Sequence, residues 1–232
     1  MRHANRILSL EEIQARAPSV FATEAWNQTS ENYRFIPTIE VVNGLLKNGF
    51  VPVDAQQSKT RIEGKEDFTK HIVRFRHQDQ FKENALAKVG DGIPEILLLN
   101  SHDRTSSYQI SLGIFRLVCT NGLIVKSAGV DEIRVRHSGR EDIVSQVIEG
   151  SFRIIEDAPK AIAQIEQWKS VQLDQREQTI LAEAALEVRD TTLDITADRL
   201  LHARRNADDG GSTRDLWRTM NVVQENLIRG GV

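Results

Sequence analysis

At 232 residues, with 40% apolar and 27% charged positions, the chain can bury a sizeable core and shows no compositional sign of global disorder. Its formal net charge of -3 excludes a histone-like blanket of positive charge, while leaving room for a local basic patch; its single cysteine, Cys119, excludes an internal disulfide and a cysteine-rich zinc site. It has no apolar run of about 18 residues to predict a transmembrane helix, and the opening MRHANRILSLEEIQ lacks the apolar region and cleavage site of a signal peptide, so a cytoplasmic protein is expected.

In chain order, residues 1–32 alternate small, polar and single aromatic side chains, with Pro18 against a continuous helix, and read as an irregular arm docked through Phe21 and Trp26. From residue 38, Ile39, Val42, Leu45 and Leu46 recur at helical spacing until Asn48-Gly49, which predicts a short helix over 38–47. Phe50, Val51 and Val53 predict a strand that Pro52 pushes to a sheet edge. His71 to His77 alternates with period two, with Val73 and Phe75 on one face and Lys70, Arg74 and Arg76 on the other. A loop over 78–94 leads to the apolar segment Glu95 to Ser101, read as a central strand.

The longest stretch rich in apolar residues, interrupted by Ser111, Arg116 and Asn121, is Ser107 to Val125. Tyr108, Ile110 and Leu112 share one parity, while Phe115, Leu117 and Cys119 share the other. A bulge at Gly113 is expected to bring both sets to the core, because one inserted residue switches sidedness. Asn121-Gly122 is the strongest hairpin signal and feeds Leu123 to Val125 into a return strand. Ile133 to His137 repeats the earlier alternation, with Arg134 and Arg136 outward. Five or six mostly antiparallel strands are thus expected between residues 50 and 137.

After Ser138 the spacing becomes helical. Pro159 marks a kink or the start of a second helix, Ile180, Ala184 and Val188 continue the apolar recurrence, and Glu177, Glu183 and Glu187 leave that segment acidic. A mobile loop around Gly210 precedes a last helix, which Ser212 can cap and whose stripe is Leu216, Met220, Val223 and Leu227. The fold class is α+β: an irregular arm over 1–32, a sheet core preceded by a short helix over 33–138, and an all-helical region over 139–232.

No catalytic constellation stands out. Ser101, His102 and Asp103 invite a triad reading, but adjacent residues in an extended segment point to alternate faces and cannot easily form a linear relay. Cys119 reads as a buried apolar residue rather than a nucleophile. His71 and His77 share a parity but lie about 20 Å apart along a strand, too far to share a metal. No metal or cofactor motif is recognised.

The remaining pattern is a row of cations. If its strands lie in one sheet, Arg74, Arg76, Arg116, Arg134 and Arg136, with Lys70, fall on the face opposite Val73, Phe75, Phe115 and Ile133. Forked guanidinium donors on a sheet face suit phosphate backbones. The alternatives are a solvated face, or one paired with the acidic helices.

Five stretches together carry a family resemblance: Phe35-Ile-Pro-Thr38 with its helix, Thr69 to Arg76, Asn100-Ser-His-Asp103 with Ser107-Tyr-Gln, Gly113 to Leu123, and Val223 to Gly231. The chain resembles the phage- and plasmid-borne family known as domain of unknown function 932, over about residues 30–231. It departs from that pattern at Arg104, where members often carry Gly, which argues against a tight glycine turn. It also stops at Val232, where members often continue into a basic segment, so a basic tail for DNA contact is not expected. The resemblance implies a mobile-element origin and a bacterial host.

The expected function is therefore that of a non-enzymatic nucleic-acid-binding accessory protein of a phage or plasmid, acting on single-stranded or recombining DNA through the arginine-bearing face. The alternative is a counter-defence or regulatory module that binds a host protein through the acidic helices or the Gly210 loop. An edge near Val51 and the last helix's stripe both permit homo-oligomers.

Overall fold

The computed structural model describes residues 6–27, 29, 35–81, 92–116, 122–124, 133–135, 143–189, 195–204 and 208–229; at 80, 92, 114–116, 122–124, 133–135, 143, 157, 189, 228 and 229 it describes the backbone alone. The chain divides into two compact units, residues 1–159 and 160–232. That division falls inside a helix, whereas the change of character in the sequence falls at Ser138.

The first unit is an α+β assembly. Within the stretch expected to be irregular there is a helix, α1 (Leu10–Arg16), followed by a 3-10 turn at Pro18–Phe21. Its cause is a reciprocal capping box. The Ser9 hydroxyl accepts from the Glu12 amide at 3.3 Å, and the Glu12 carboxylate accepts from the Ser9 amide at 3.0 Å. Ile13 is fully buried beneath it. Helix α2 (Thr38–Lys47) matches its expected bounds, burying Val41, Val42 and Leu45. It ends where Asn48 donates its side-chain amide to the Gly44 carbonyl at 2.8 Å and Gly49 turns left-handed at φ 82°.

Strands β1 (Phe50–Gln57), β2 (His71–His77), β3 (Gly92–Asn100) and β4 (Tyr108–Arg116) form a four-strand antiparallel sheet in sequence order. β1 is the edge strand, as Pro52 required, and the register slips between Pro52 and Asp54. The short segments β5 (Gly122–Ile124) and β6 (Ile133–Val135) pair alongside β4. One sheet face buries Phe50, Ala55, Val73, Phe75, Ile96, Leu98, Ile110 and Leu112. The first half of α3 (Ile143–Ser170) lies on this side, with Phe152 packed edge-on to Phe50 at 5.1 Å. Gly44 lets α2 approach α3, since a Cβ there would sit 2.9 Å from Val144.

Three expectations need correction. The bulge at Gly113 is absent, for the pairing of β3 with β4 runs unbroken from Gly92↔Arg116 to Leu99↔Gln109. Phe115 pairs with Gly122, so Gly122 belongs to β5 rather than to a two-residue loop with Asn121. Of the two readings of Pro159, the start of a second helix is overturned, for Pro159 lies inside α3. The expectations for Cys119, Leu117 and Val125 fall outside the described residues.

The second unit contains α4 (Gln175–Arg189), α5 (Ala197–Leu201), α6 (Leu216–Arg229) and a two-residue ladder, β7 (Gln172–Leu173) with β8 (Arg214–Asp215). Asp215, not Ser212, caps α6, its carboxylate accepting from the Arg218 amide at 2.8 Å. The ladder carries extended backbone as far as Asp215, and Leu216 donates to the Val171 carbonyl, so the helix cannot begin earlier. Ala182, Leu200 and Val223 form the core, and Trp168 stacks on Trp217 at 6.1 Å. The Asn226 amide reaches the Leu200 and His202 carbonyls, both at 2.9 Å, satisfying the exposed end of the short α5.

Gly49→Ala should cost about 1–2 kcal/mol, because φ 82° is left-handed and a Cβ would sit 3.0 Å from both the His77 and Gln78 side chains. Urea denaturation measures this, and an unchanged midpoint would refute the reading of the turn.

Candidate functional site

The motif stretches converge on one buried polar network in the first unit. Thr38 opens α2, His71 opens β2, Asn100 ends β3, Tyr108 opens β4, and His102 follows in the β3–β4 loop; all are buried. Antiparallel pairing brings these ends together, since His71 pairs with Asn100. His71 shares the parity of Val73 and Phe75, so it faces the core rather than solvent.

The hydrogen bonds define an assignment of the protons. The His71 Nδ1 lies 3.0 Å from the Thr69 carbonyl, which can only accept, so Nδ1 carries the proton and also meets the Ser19 hydroxyl at 2.9 Å. In the neutral ring Nε2 is then an acceptor, and the Thr38 hydroxyl donates to it at 2.8 Å. With its one proton spent, Thr38 accepts from the Asn100 amide at 2.9 Å and from His102 Nε2 at 3.2 Å. The Tyr108 hydroxyl, 3.2 Å from Thr38, donates to the Ile36 carbonyl at 3.1 Å. Ser19 in turn donates to the Gln57 side chain at 2.8 Å. The network ties the 3-10 turn, α2 and all four strands together. Burial drives the His71 pKa down to about 4, against the opposing pull of the Thr69 carbonyl and Asp103.

Ser101, His102 and Asp103 make no relay. The Ser101 hydroxyl exchanges bonds with the Ser106 backbone, and His102 turns inward to Thr38. Asp103 accepts from the Thr105 amide and hydroxyl and pairs with Lys65 at 3.0 Å. Burial would raise the Asp103 pKa, but these bonds outweigh it and hold the carboxyl below its ordinary range.

The cation row is divided. Arg74 and Arg76 do lie opposite Val73 and Phe75, but both guanidinium groups grip the fully buried Glu95, through Arg74 Nε at 2.6 Å and Arg76 Nε at 2.7 Å. Arg74 also reaches Asp54 at 3.3 Å, where Arg16 joins at 3.2 Å. Arg76 is only 5% exposed and lies 5.7 Å from the centre of the Phe81 ring. In the unbroken register position 116 falls on the side of Ile110 and Leu112, while position 134, paired with Gln109, falls on the side of Glu95. Arg136 lies outside the described residues. Lys70 is exposed.

Lys70 has company at its end of the sheet. The β1–β2 and β3–β4 loops emerge there together, and expose Lys59, Arg61 and Arg104 as well as Glu63, Glu66 and Asp67. Arg104 holds φ 69°, the left-handed conformation that glycine adopts freely, so the turn survives without the glycine. In the second unit a cleft of about 380 Å³ is lined by Gln178, Thr179, Asp198, His202, Ser212 and Arg214. Burial lowers the Arg214 pKa against the pull of Asp209, Asp208 and Asp215.

The described residues hold no cluster of three or more His, Cys, Asp or Glu suited to a metal, and no helix long and apolar enough to cross a membrane. The geometry defines an α+β protein whose buried histidine network holds together a sheet with charged loops at one end. The chain belongs to the family described as Domain of unknown function (DUF932), which matches residues 25–232. It is 39% identical to the UPF0380 protein YafZ of Escherichia coli (strain K12) over 230 residues, covering 98% of this chain and 80% of that protein. The UPF0380 protein YfjQ of the same organism is 39% identical over the same length and shares. No solved structure matches.

Thr38 and Asn100 carry no functional expectation from the sequence, although each lies in a stretch that carries the resemblance, and Tyr108, which the sequence offers for base stacking, is fully buried with its hydroxyl in the network. Polar residues at the ends of strands gave no periodicity to detect. The parity of His71 was the available signal.

Two outcomes follow from the network. Thr38→Val should cost roughly 2–4 kcal/mol in urea denaturation, because it leaves buried groups of His71 and Asn100 without their shared partner. Stability should also fall by roughly 3 kcal/mol between pH 6.5 and 4. In that window the unfolded chain protonates His71 from its ordinary 6.5, whereas the folded chain resists until about 4. Asp103, with a depressed folded pKa, adds a loss only at lower pH. A flat profile from 6.5 to 4 would contradict the neutral, Nδ1-protonated assignment.

Proposed function

We propose that the chain is a non-enzymatic nucleic-acid-binding accessory protein of a phage or plasmid, acting in the bacterial cytoplasm on single-stranded or recombining DNA. The mobile-element setting rests on the family resemblance. The contact is assigned to the end of the sheet, through Lys59, Arg61, Lys70 and Arg104, rather than to the face bearing Arg74 and Arg76, whose charge is spent on Glu95. The same reading counts β5 and β6 as strands, for a sheet of six.

The observation that carries the reading is Arg104, an exposed cation held at φ 69° at the sheet end that also exposes Lys59, Arg61 and Lys70. A side chain in that conformation costs about 1–2 kcal/mol, and Arg104 lies exposed, outside the buried core. Contact with phosphate supplies a reason for placing a guanidinium there. Glu63, Glu66 and Asp67 nearby keep the local excess of positive charge small, so affinity should be modest and strongly salt-dependent.

Fluorescence anisotropy on single- and double-stranded oligonucleotides across salt concentrations tests the proposal. Four phosphate contacts on a single strand imply a log-log salt slope of about -3, and Lys70→Ala should reduce its magnitude by roughly one. Arg104→Gly should weaken binding while raising stability by about 1 kcal/mol, a split that a purely structural arginine would not produce. Absence of binding at low salt would sink the proposal.

A further inference from the structure

Helix α4 is apolar on two sides. Its inner side buries Ala182 and packs Ala185 and Leu186 against the core of the second unit. On the outer side, Ile180 is 54% exposed and Val188 is 88% exposed, with exposed Ala184 between them. These three stand at i, i+4 and i+8, within an arc of about 80° on the helix surface. This is the apolar recurrence in the sequence, and the fold leaves it facing solvent.

One flank of this stripe is acidic. Glu183 and Glu187 are exposed and follow the same side of the helix. Glu177 lies beyond Ile180, where its carboxylate accepts from the Asp174 amide at 2.8 Å and its own amide donates to the Asp174 carboxylate at 2.9 Å. Arg176 is the exposed cation at the helix's opening turn. A stripe of two large aliphatic residues around a small one accepts a helix lying along it, because Ala184 permits close approach at the centre. The acidic flank selects the charge of that helix.

We propose that the outer face of α4 docks a basic amphipathic helix of a protein partner, with aliphatic residues against Ile180, Ala184 and Val188 and lysine or arginine against Glu183 and Glu187. A second copy of α4 fits less well, since beside its stripe it brings Glu183 and Glu187 rather than lysine or arginine. This surface lies in the second unit and is independent of the nucleic-acid reading, which rests on the first.

A direct test uses the full chain and two synthetic helical peptides, one of leucine at i, i+4 and i+8 with flanking lysines, the other with glutamate for each lysine. The lysine peptide should bind with a dissociation constant on the order of 10 μM, and the glutamate peptide should not bind. The pair Ile180→Asp and Val188→Asp should weaken binding at least about tenfold. The pair Glu183→Lys and Glu187→Lys should do the same while leaving the apolar stripe intact, and thermal melts should show both variants folded. Equal binding of both peptides, binding of neither, or binding that survives the charge reversal would overturn the proposal. So would sedimentation as a dimer that the aspartate pair converts to monomer, because a second copy would then cover the stripe.

Discussion

One hydroxyl proton constrains the first unit. The Thr38 side chain can donate once, and the Thr69 carbonyl decides where by fixing the His71 proton on Nδ1. Every other bond at Thr38 must then arrive from a donor, and Asn100 and His102 supply them. These residues come from separate elements, so the network can be satisfied only when α2 and the ends of β2 and β3 are all in place. Buried polar groups left unpartnered cost more than paired ones gain. The network therefore acts chiefly against misplaced arrangements.

The opposite face of the sheet resolves a similar conflict with charge. Glu95 is fully buried on a central strand, which would be prohibitive for an isolated carboxylate. Arg74 and Arg76 on the adjacent strand close on its two oxygens, and Asp54 extends the cluster to Arg16 on α1. Gly113 stands opposite Glu95 in the register and brings no side chain against it. The two arginines are thereby turned from a surface into part of the interior. The loops at the sheet end keep exposed cations, and there the backbone of Arg104 is left-handed and Lys70 lies apart from the cluster.

The second unit shows the reverse economy. Its core is small, with Ala182, Leu200 and Val223 at the centre, and it relies on specific polar closures such as Asn226 on the carbonyls of α5. With one side of α4 sufficient for that core, Ile180 and Val188 remain outside it. Their exposure is a property of the tertiary arrangement, since the spacing alone fits either side of the helix.

Local patterns determined much of the architecture: the bounds of α2 and β2, the edge position of β1 and the α+β class follow from periodicity, Asn48-Gly49 and Pro52. These signals are legible because they arise from backbone geometry within a few residues. Tertiary structure alone decided the unbroken register at Gly113, the capping of α6 by Asp215, the commitment of Arg74 and Arg76 to Glu95, and the meeting of Thr38, His71, Asn100 and Tyr108. Parity states which side of a strand a residue takes, but not what covers that side. A row of arginines reads the same whether water or a buried carboxylate lies above it, and only the pairing of β2 with β3 brings Glu95 within reach.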